Sequence, residues 1–263
     1  MTSQGPKRSL LVLSWGHPYE EAPFDELIHN VGDWDVTHLL HPEAEDAVAS
    51  GAARDVDALL FYDMGGYTFA DDWVTSRPPS PEFRRAIVER FESGRGAVAM
   101  HHALAGWADW PEWHEMLGGR FLYTPGEVRG RKVLDSGYRH DVNYNAKLVA
   151  DHPVTAGLPS EFTVRDELYL AEIFEEDVEP LVRSDYAFTR DNFYSAALGI
   201  SGTLYSNEGW DHPPGSNLVA WHKQVGNTPL VYLQFGDAPQ TYANPHVRQM
   251  IAQALTFTAG ENP

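Results

Sequence analysis

The 263-residue chain contains no cysteine, and that absence excludes disulfides, thiolate metal ligands and cysteine nucleophiles. Positive charge is also scarce: 19 Lys and Arg stand against 38 Asp and Glu, a formal net charge of -19. Such a surface repels polyanions unless a local basic patch overrides it, and the nearest candidate, Arg129 to Lys132, holds only three basic residues. Nucleic acid and anionic membranes are therefore not expected partners. Apolar runs of the roughly 20 residues that cross a bilayer are missing. Met1 to Ser9 is polar and lacks a signal-peptide core, so a cytoplasmic protein is expected.

A 43% hydrophobic share suffices for an ordinary core. Without a linker, repeat or low-complexity segment, residues 1–263 read as one domain. Twelve His and eight Trp exceed ordinary usage, and both types are favoured where polar ligands meet aromatic walls.

Leu10 to Ser14 is a continuous apolar run that reads as a buried strand, followed by a loop at Trp15-Gly16-His17-Pro18. Phe24, Leu27, Ile28 and Val31 recur at helical spacing, Trp34 to Leu40 alternates like a strand, and Asp57 to Tyr62 repeats the buried pattern. Ser80-Pro81-Glu82 has the chemistry of a helix start, with Phe83, Ile87, Val88 and Phe91 as its apolar face and Gly94 as its end. Ala97 to Met100 is a further buried strand that delivers His101-His102 to its carboxyl end. Such alternation predicts the α/β class, a mainly parallel sheet with helices on both faces. Strands are expected later at Val128 to Leu134, Glu161 to Leu170, Pro180 to Val182, Leu218 to His222 and Leu230 to Phe235. Asn244-Pro245 opens a last helix that Gly260 closes.

Ligands of open parallel sheets bind beyond the carboxyl ends of the strands, where Trp15 to His17, Asp63 to Tyr67 and His101 to Ala103 are expected. His101 and His102 are candidate catalytic groups, because imidazole titrates near neutrality, and His17 is their nearest partner. Asp166 and Glu167 are adjacent in a strand, so only one faces a given pocket, with Glu167 preferred. Trp15, Tyr67 and Trp107 are candidates to stack on a sugar, whereas Trp110 and Trp113 share a helical face and read as core. With no thiolate available, a metal site must use imidazole and carboxylate, so His17, His101, His102 and His152 are candidate ligands for a divalent ion such as zinc. Gly65-Gly66 is too short for a phosphate loop and reads as a turn, and no nucleotide cofactor is evident.

Five segments in order, Gly96 to Ala103, Leu117-Gly118-Gly119-Arg120-Phe121, Asp151-His152-Pro153-Val154-Thr155, Asp166-Glu167-Leu168-Tyr169 and Asn244 to Arg248, together resemble the ThuA-like (trehalose utilisation) family. The resemblance implies a flavodoxin-like, class I glutamine amidotransferase-like fold in which His101 stands at the nucleophile's position. Amidotransferase activity does not carry over without Cys. Where relatives carry Gly-His near the end of the last strand, this chain has Gly236-Asp237, whose carboxylate can accept a proton, bind a cation or contact substrate. The implied role is in carbohydrate catabolism, as an enzyme acting on a small sugar or keto-sugar: a hydrolase, lyase or isomerase. His101 or His102 would act as base, Glu167 or Asp166 as acid, and backbone N–H groups of the turn would stabilise an oxyanion. The alternative is a non-catalytic carbohydrate-binding or assembly protein on the same fold. Homo-oligomers are common among such enzymes.

Overall fold

A computed structural model describes residues 7–71 and 73–260. The first six residues of the polar N-terminal stretch lie outside the described residues. Strands β1 (Arg8–Trp15), β3 (Ala58–Asp63) and β4 (Ala97–Met100) carry continuous apolar runs because helices cover both of their faces, and every residue of β3 and β4 is buried. β2 (Trp34–Leu40) lies at the sheet edge, and there burial is partial and broken. Helices α1 (Glu21–Asn30), α2 (Glu43–Ala49), α3 (Pro81–Glu92) and α4 (Pro111–Leu117) fill the intervals. The second half supplies β5 (Gly137–Leu148), β6 (Glu161–Leu170), β7 (Glu179–Ser184), β8 (Leu218–Val225) and β9 (Thr228–Leu233), then α5 (Pro245–Thr258).

The sheet runs β6-β5-β7-β8-β9-β4-β3-β1-β2, and the short strand Tyr194–Ser195, paired with β5, makes it ten-stranded. β9, β4, β3, β1 and β2 are mutually parallel, and the later strands continue the sheet in the antiparallel sense. α1 and α5 pack on one face through Phe24, Leu27, Met250 and Ile251 against Leu10, Val12, Leu60 and Val98. α2, α3 and α4 pack on the other, through Val48, Phe83, Ile87 and Trp113 against Leu11, Leu13, Phe61 and Ala99. This is the α/β architecture expected from the alternating pattern, with helices on both faces.

Local chemistry explains the helix limits. Ser80 Oγ accepts the Phe83 N–H at 3.2 Å with Pro81 in the first turn, and Asn244 Oδ1 accepts the N–H groups of His246 and Val247. Val88, assigned to the apolar face of α3 from its sequence, is 39% exposed, because the buried stripe follows Phe83, Ile87 and Phe91 at four-residue steps. Val128 to Leu134 is not one strand but a hairpin, Gly126–Val128 against Arg131–Val133, since Arg129 and Gly130 both adopt positive φ, 51° and 74°. Arg129 in that turn is bonded to Glu115, Glu176 and Asp177, so the most basic segment of the sequence is neutralised by its own neighbours. No helix among the described residues is long and apolar enough to cross a membrane.

Arg90 is the one buried cation in α3 and ties the parallel half together. Its guanidinium donates to the carbonyls of Ala53 at 2.6 Å, Val56 at 3.1 Å and Gly96 at 2.8 Å, joining α3 to the loops that enter β3 and β4. Burial pulls its pKa down to about 10, and it remains charged at neutral pH. Arg90→Leu keeps the bulk but leaves three buried carbonyls without their donor, and is expected to lower the unfolding free energy by about 3 kcal/mol or more. Urea denaturation checks this, and a wild-type midpoint would show the contacts to be dispensable.

Candidate active site at the carboxyl edge of the parallel strands

β1, β3 and β4 all end at the same edge, and each hands its chain to a sharp turn there. Trp15 closes β1 with φ 107°, and Gly16 follows with φ 95°, where a Cβ would lie 2.1 Å from the Met64 carbonyl oxygen. Only glycine fits, and the bend carries His17 over the sheet edge. At the end of β4, His101 takes a left-handed φ of 38° and begins a 3₁₀ turn, His101–Leu104. This elbow directs both His101 and His102 inward, and they are 0% and 1% exposed. His17 stacks obliquely on His102 with ring centroids 4.4 Å apart, so the two segments meet.

His101 is held from three sides. Its Nδ1–H donates to the Gln234 carbonyl at 2.6 Å, its ring lies 4.4 Å from that of Tyr169, and its Nε2 is 3.0 Å from Glu167 Oε2. Burial works to lower its pKa, but the hydrogen bond and charge of Glu167, with the charges of Asp237 and Asp166, outweigh burial and raise it to about 9. Burial works to raise Glu167, and the His101 hydrogen bond and charge reverse this, so its pKa falls below the ordinary carboxylate value. The pair is therefore ionised. The other oxygen of Glu167 lies 3.1 Å from His140 Nδ1.

Asp166 and Glu167 are consecutive on β6 and point to opposite sides. Glu167 lines a pocket. Asp166 is fully buried behind the site and accepts the Gly236 N–H at 2.7 Å and the Asp237 N–H at 3.1 Å. Counted as a catalytic candidate from sequence, Asp166 is instead the clamp that fixes the loop carrying Asp237. Burial is the main cause that raises Asp166, to about 7. Asp237 Oδ1 stands 3.9 Å from His101 Nε2 and 4.0 Å from His102 Nε2.

Two cavities meet at His17. A pocket of about 200 Å³ is walled by Phe121, Tyr123, Tyr138 and Tyr169, with Glu167 and His140 as polar groups and Tyr205 at its rim. A cleft of about 510 Å³ lies on the other side of His17 and is lined by Trp15, His41, Tyr67, Phe69 and Arg77. Trp15 is 51% exposed at its mouth. His41 Nε2 is 2.9 Å from Oδ2 of fully buried Asp63, which orients that imidazole in the cleft wall.

Two sequence assignments are corrected. Trp107 does not reach the cleft: it is fully buried against His41 and Phe83, and a Cβ on Gly65 would lie 2.3 Å from its ring. It joins Trp110 and Trp113 in the core. His152 does not join the histidines of the sheet edge. Its Nδ1 accepts the Val154 N–H at 3.1 Å, capping its own turn, and its ring packs on Phe257 and His222. Residues not singled out from sequence include His41, His140 and the tyrosines of the small pocket. His140 is brought inward by a bulge in β5, where the pairing shifts between Arg139 and Val142 and Asp141 has φ 62°.

A family model described as trehalose utilisation, ThuA, matches residues 15–258. Among solved structures, a ThuA-like protein from Parabacteroides merdae is similar at 17% identity and a TM-score of 0.66, covering 98% of this chain and 92% of that one. A ThuA-like protein from Bacteroides uniformis gives 16% identity and a TM-score of 0.60 over 98% and 94%. PurLQS from Thermotoga maritima shares the fold at 10% identity, with a TM-score of 0.55 over 96% and 99%. The fold is thus the class I glutamine amidotransferase-like one. No curated protein sequence matches the chain.

Replacing Glu167 by Gln removes the charge that keeps His101 protonated and leaves burial, which lowers the pKa. In chelator-treated protein, His101 is expected to titrate near 9 in the wild type and below 6.5 in Glu167→Gln, as read by histidine ring NMR. Because the folded value lies above the unfolded one, the stabilisation from this proton is complete below pH 6.5 and disappears as pH rises through 9. The stability gap between wild type and variant should narrow over that window, and an unchanged gap would remove the ion pair from the account.

Proposed function

Since this chain belongs to the ThuA trehalose-utilisation family, and so to carbohydrate utilisation, we propose that it is an enzyme acting on a small sugar or keto-sugar by proton transfer in the aromatic pocket. One observation carries this reading: an ionised carboxylate, Glu167, stands in a pocket rich in aromatic rings, with a buried imidazolium behind it. Sugar C–H faces stack on such rings while hydroxyls find the few polar groups.

The roles differ from those expected from sequence. His101 does not line either cavity, so it is a positioning residue that fixes Glu167 and holds its charge. Glu167 is the base. On a keto-sugar it removes the proton from the carbon next to the carbonyl, the electron pair moves onto the carbonyl oxygen, and His140 supplies the proton that the oxygen or the leaving group takes up. Elimination, hydrolysis through such an intermediate and isomerisation all begin with that step.

The test is a screen of glycosides and their 3-keto forms against purified protein. Glu167→Gln is expected to lower kcat by about 10²- to 10⁴-fold with little change in KM, and Tyr138→Ala to raise KM more than it lowers kcat. Sugar binding by calorimetry without turnover of any member would make the protein a carbohydrate-binding one and refute the enzymatic reading.

A further inference from the structure

We infer that His101, His102 and Asp237 form a binding site for one divalent transition-metal ion, with Glu167 beside it in contact with His101. The inference rests on the proposed active site, behind whose Glu167 these groups lie, and adds to it a cofactor.

Geometry is the first argument. Asp237 Oδ1 lies 3.9 and 4.0 Å from the two Nε2 atoms, and Glu167 Oε2 lies 3.0 Å from that of His101. Donors of a tetrahedral ion with bonds of 2.0 to 2.2 Å stand roughly 3.3 to 3.6 Å apart. The donor atoms of His101, His102 and Asp237 all lie within 4.8 Å of one another, so Asp237 need close on the two imidazoles by only about half an ångström. Two groups of metal-compatible donors, His101-His102-Asp237 and His140-Glu167-Asp237, share Asp237, so the carboxylates converge on one place.

The second argument is an orphan. His102 Nε2 is buried and has no hydrogen-bond partner among the described residues, although its ring is packed between His17 and Tyr62. An imidazole nitrogen buried without a partner is costly.

Orientation is the third. His101 Nδ1–H donates to a backbone carbonyl, the outer contact by which metal-bound histidines are fixed in the tautomer that presents Nε2. A bound ion would replace the proton on His101 Nε2 and take over its neutralisation of Glu167 and Asp237.

A second cluster, His152, Glu179 and His222, has similar spacing and fails on tautomer. His152 Nδ1 already accepts an N–H, so its proton sits on Nε2, and neutral His152 has no free lone pair to give. That cluster serves as the internal control.

The experiment uses the full chain without a polyhistidine tag, stripped with chelator and titrated with zinc chloride by calorimetry, with cobalt chloride followed by visible absorption. Elemental analysis of the undialysed protein accompanies it. The expected result is one equivalent of zinc with submicromolar affinity, and intense cobalt bands characteristic of four-coordination. Affinity should fall at least 100-fold in His102→Ala and in Asp237→Asn and persist in His152→Ala. Asp237 is partly exposed, so its variant is expected to fold even if that of His102 does not. Absence of binding at tens of micromolar zinc, or loss in His152→Ala with retention in Asp237→Asn, overturns the site. These readouts need no substrate: turnover of a keto-sugar by stripped protein would leave the proposed function standing without the metal's participation, whereas metal binding with no turnover would leave the site standing alone.

Discussion

The buried contact between His101 and Glu167 is the constraint around which the functional edge of this molecule is organised. Two opposite charges out of water are tolerable only when each finds further partners, and both do: His101 has the Gln234 carbonyl, and Glu167 has His140. The contact also joins the two halves of the sheet, because His101 leaves the parallel strand β4 and Glu167 belongs to the antiparallel strand β6. The same sheet that forms the core thereby positions the chemistry, and Asp166, one residue away, fastens the Gly236-Asp237 loop over it.

The position that would hold a nucleophile in an amidotransferase is occupied by a residue that points inward. An elbow at the end of a central strand normally presents its side chain to solvent-borne substrate, whereas here the left-handed His101 sits beneath Tyr169 and Glu167. The carboxylate that faces the pocket comes instead from β6, at the far edge of the sheet.

Much of this was legible in the sequence, and the boundary is physical. β1, β3 and β4 are covered on both faces, so their apolar runs are unbroken, and α3 and α5 carry local capping groups at Ser80 and Asn244. The five ordered motifs located the family, and the family located the fold. What local pattern could not convey was side-chain direction where the backbone is irregular. The bulge at Asp141 turns His140 toward Glu167, and no periodicity signals it. Trp107 read as a candidate to stack on a sugar, yet the absence of side chains on Gly65 and Gly66 opens the space that it fills. His152 lies in a motif of the family but is occupied with its own turn, a local bond invisible without the dihedral angles.

The place of β9 in the sheet has a consequence for biosynthesis. β9 inserts between β4 and β8, so the hydrogen-bonding edge of β4 is covered only by a strand encoded near the other end of the chain. Translation proceeds at about 5–20 residues per second, and for several seconds a nascent chain carrying β1 to β4 but not β9 has one central strand open along an entirely apolar length. An open edge of that kind invites pairing with another chain. Until β9 is made, the exposure of that edge is set by the order of synthesis and not by the stability of the finished sheet.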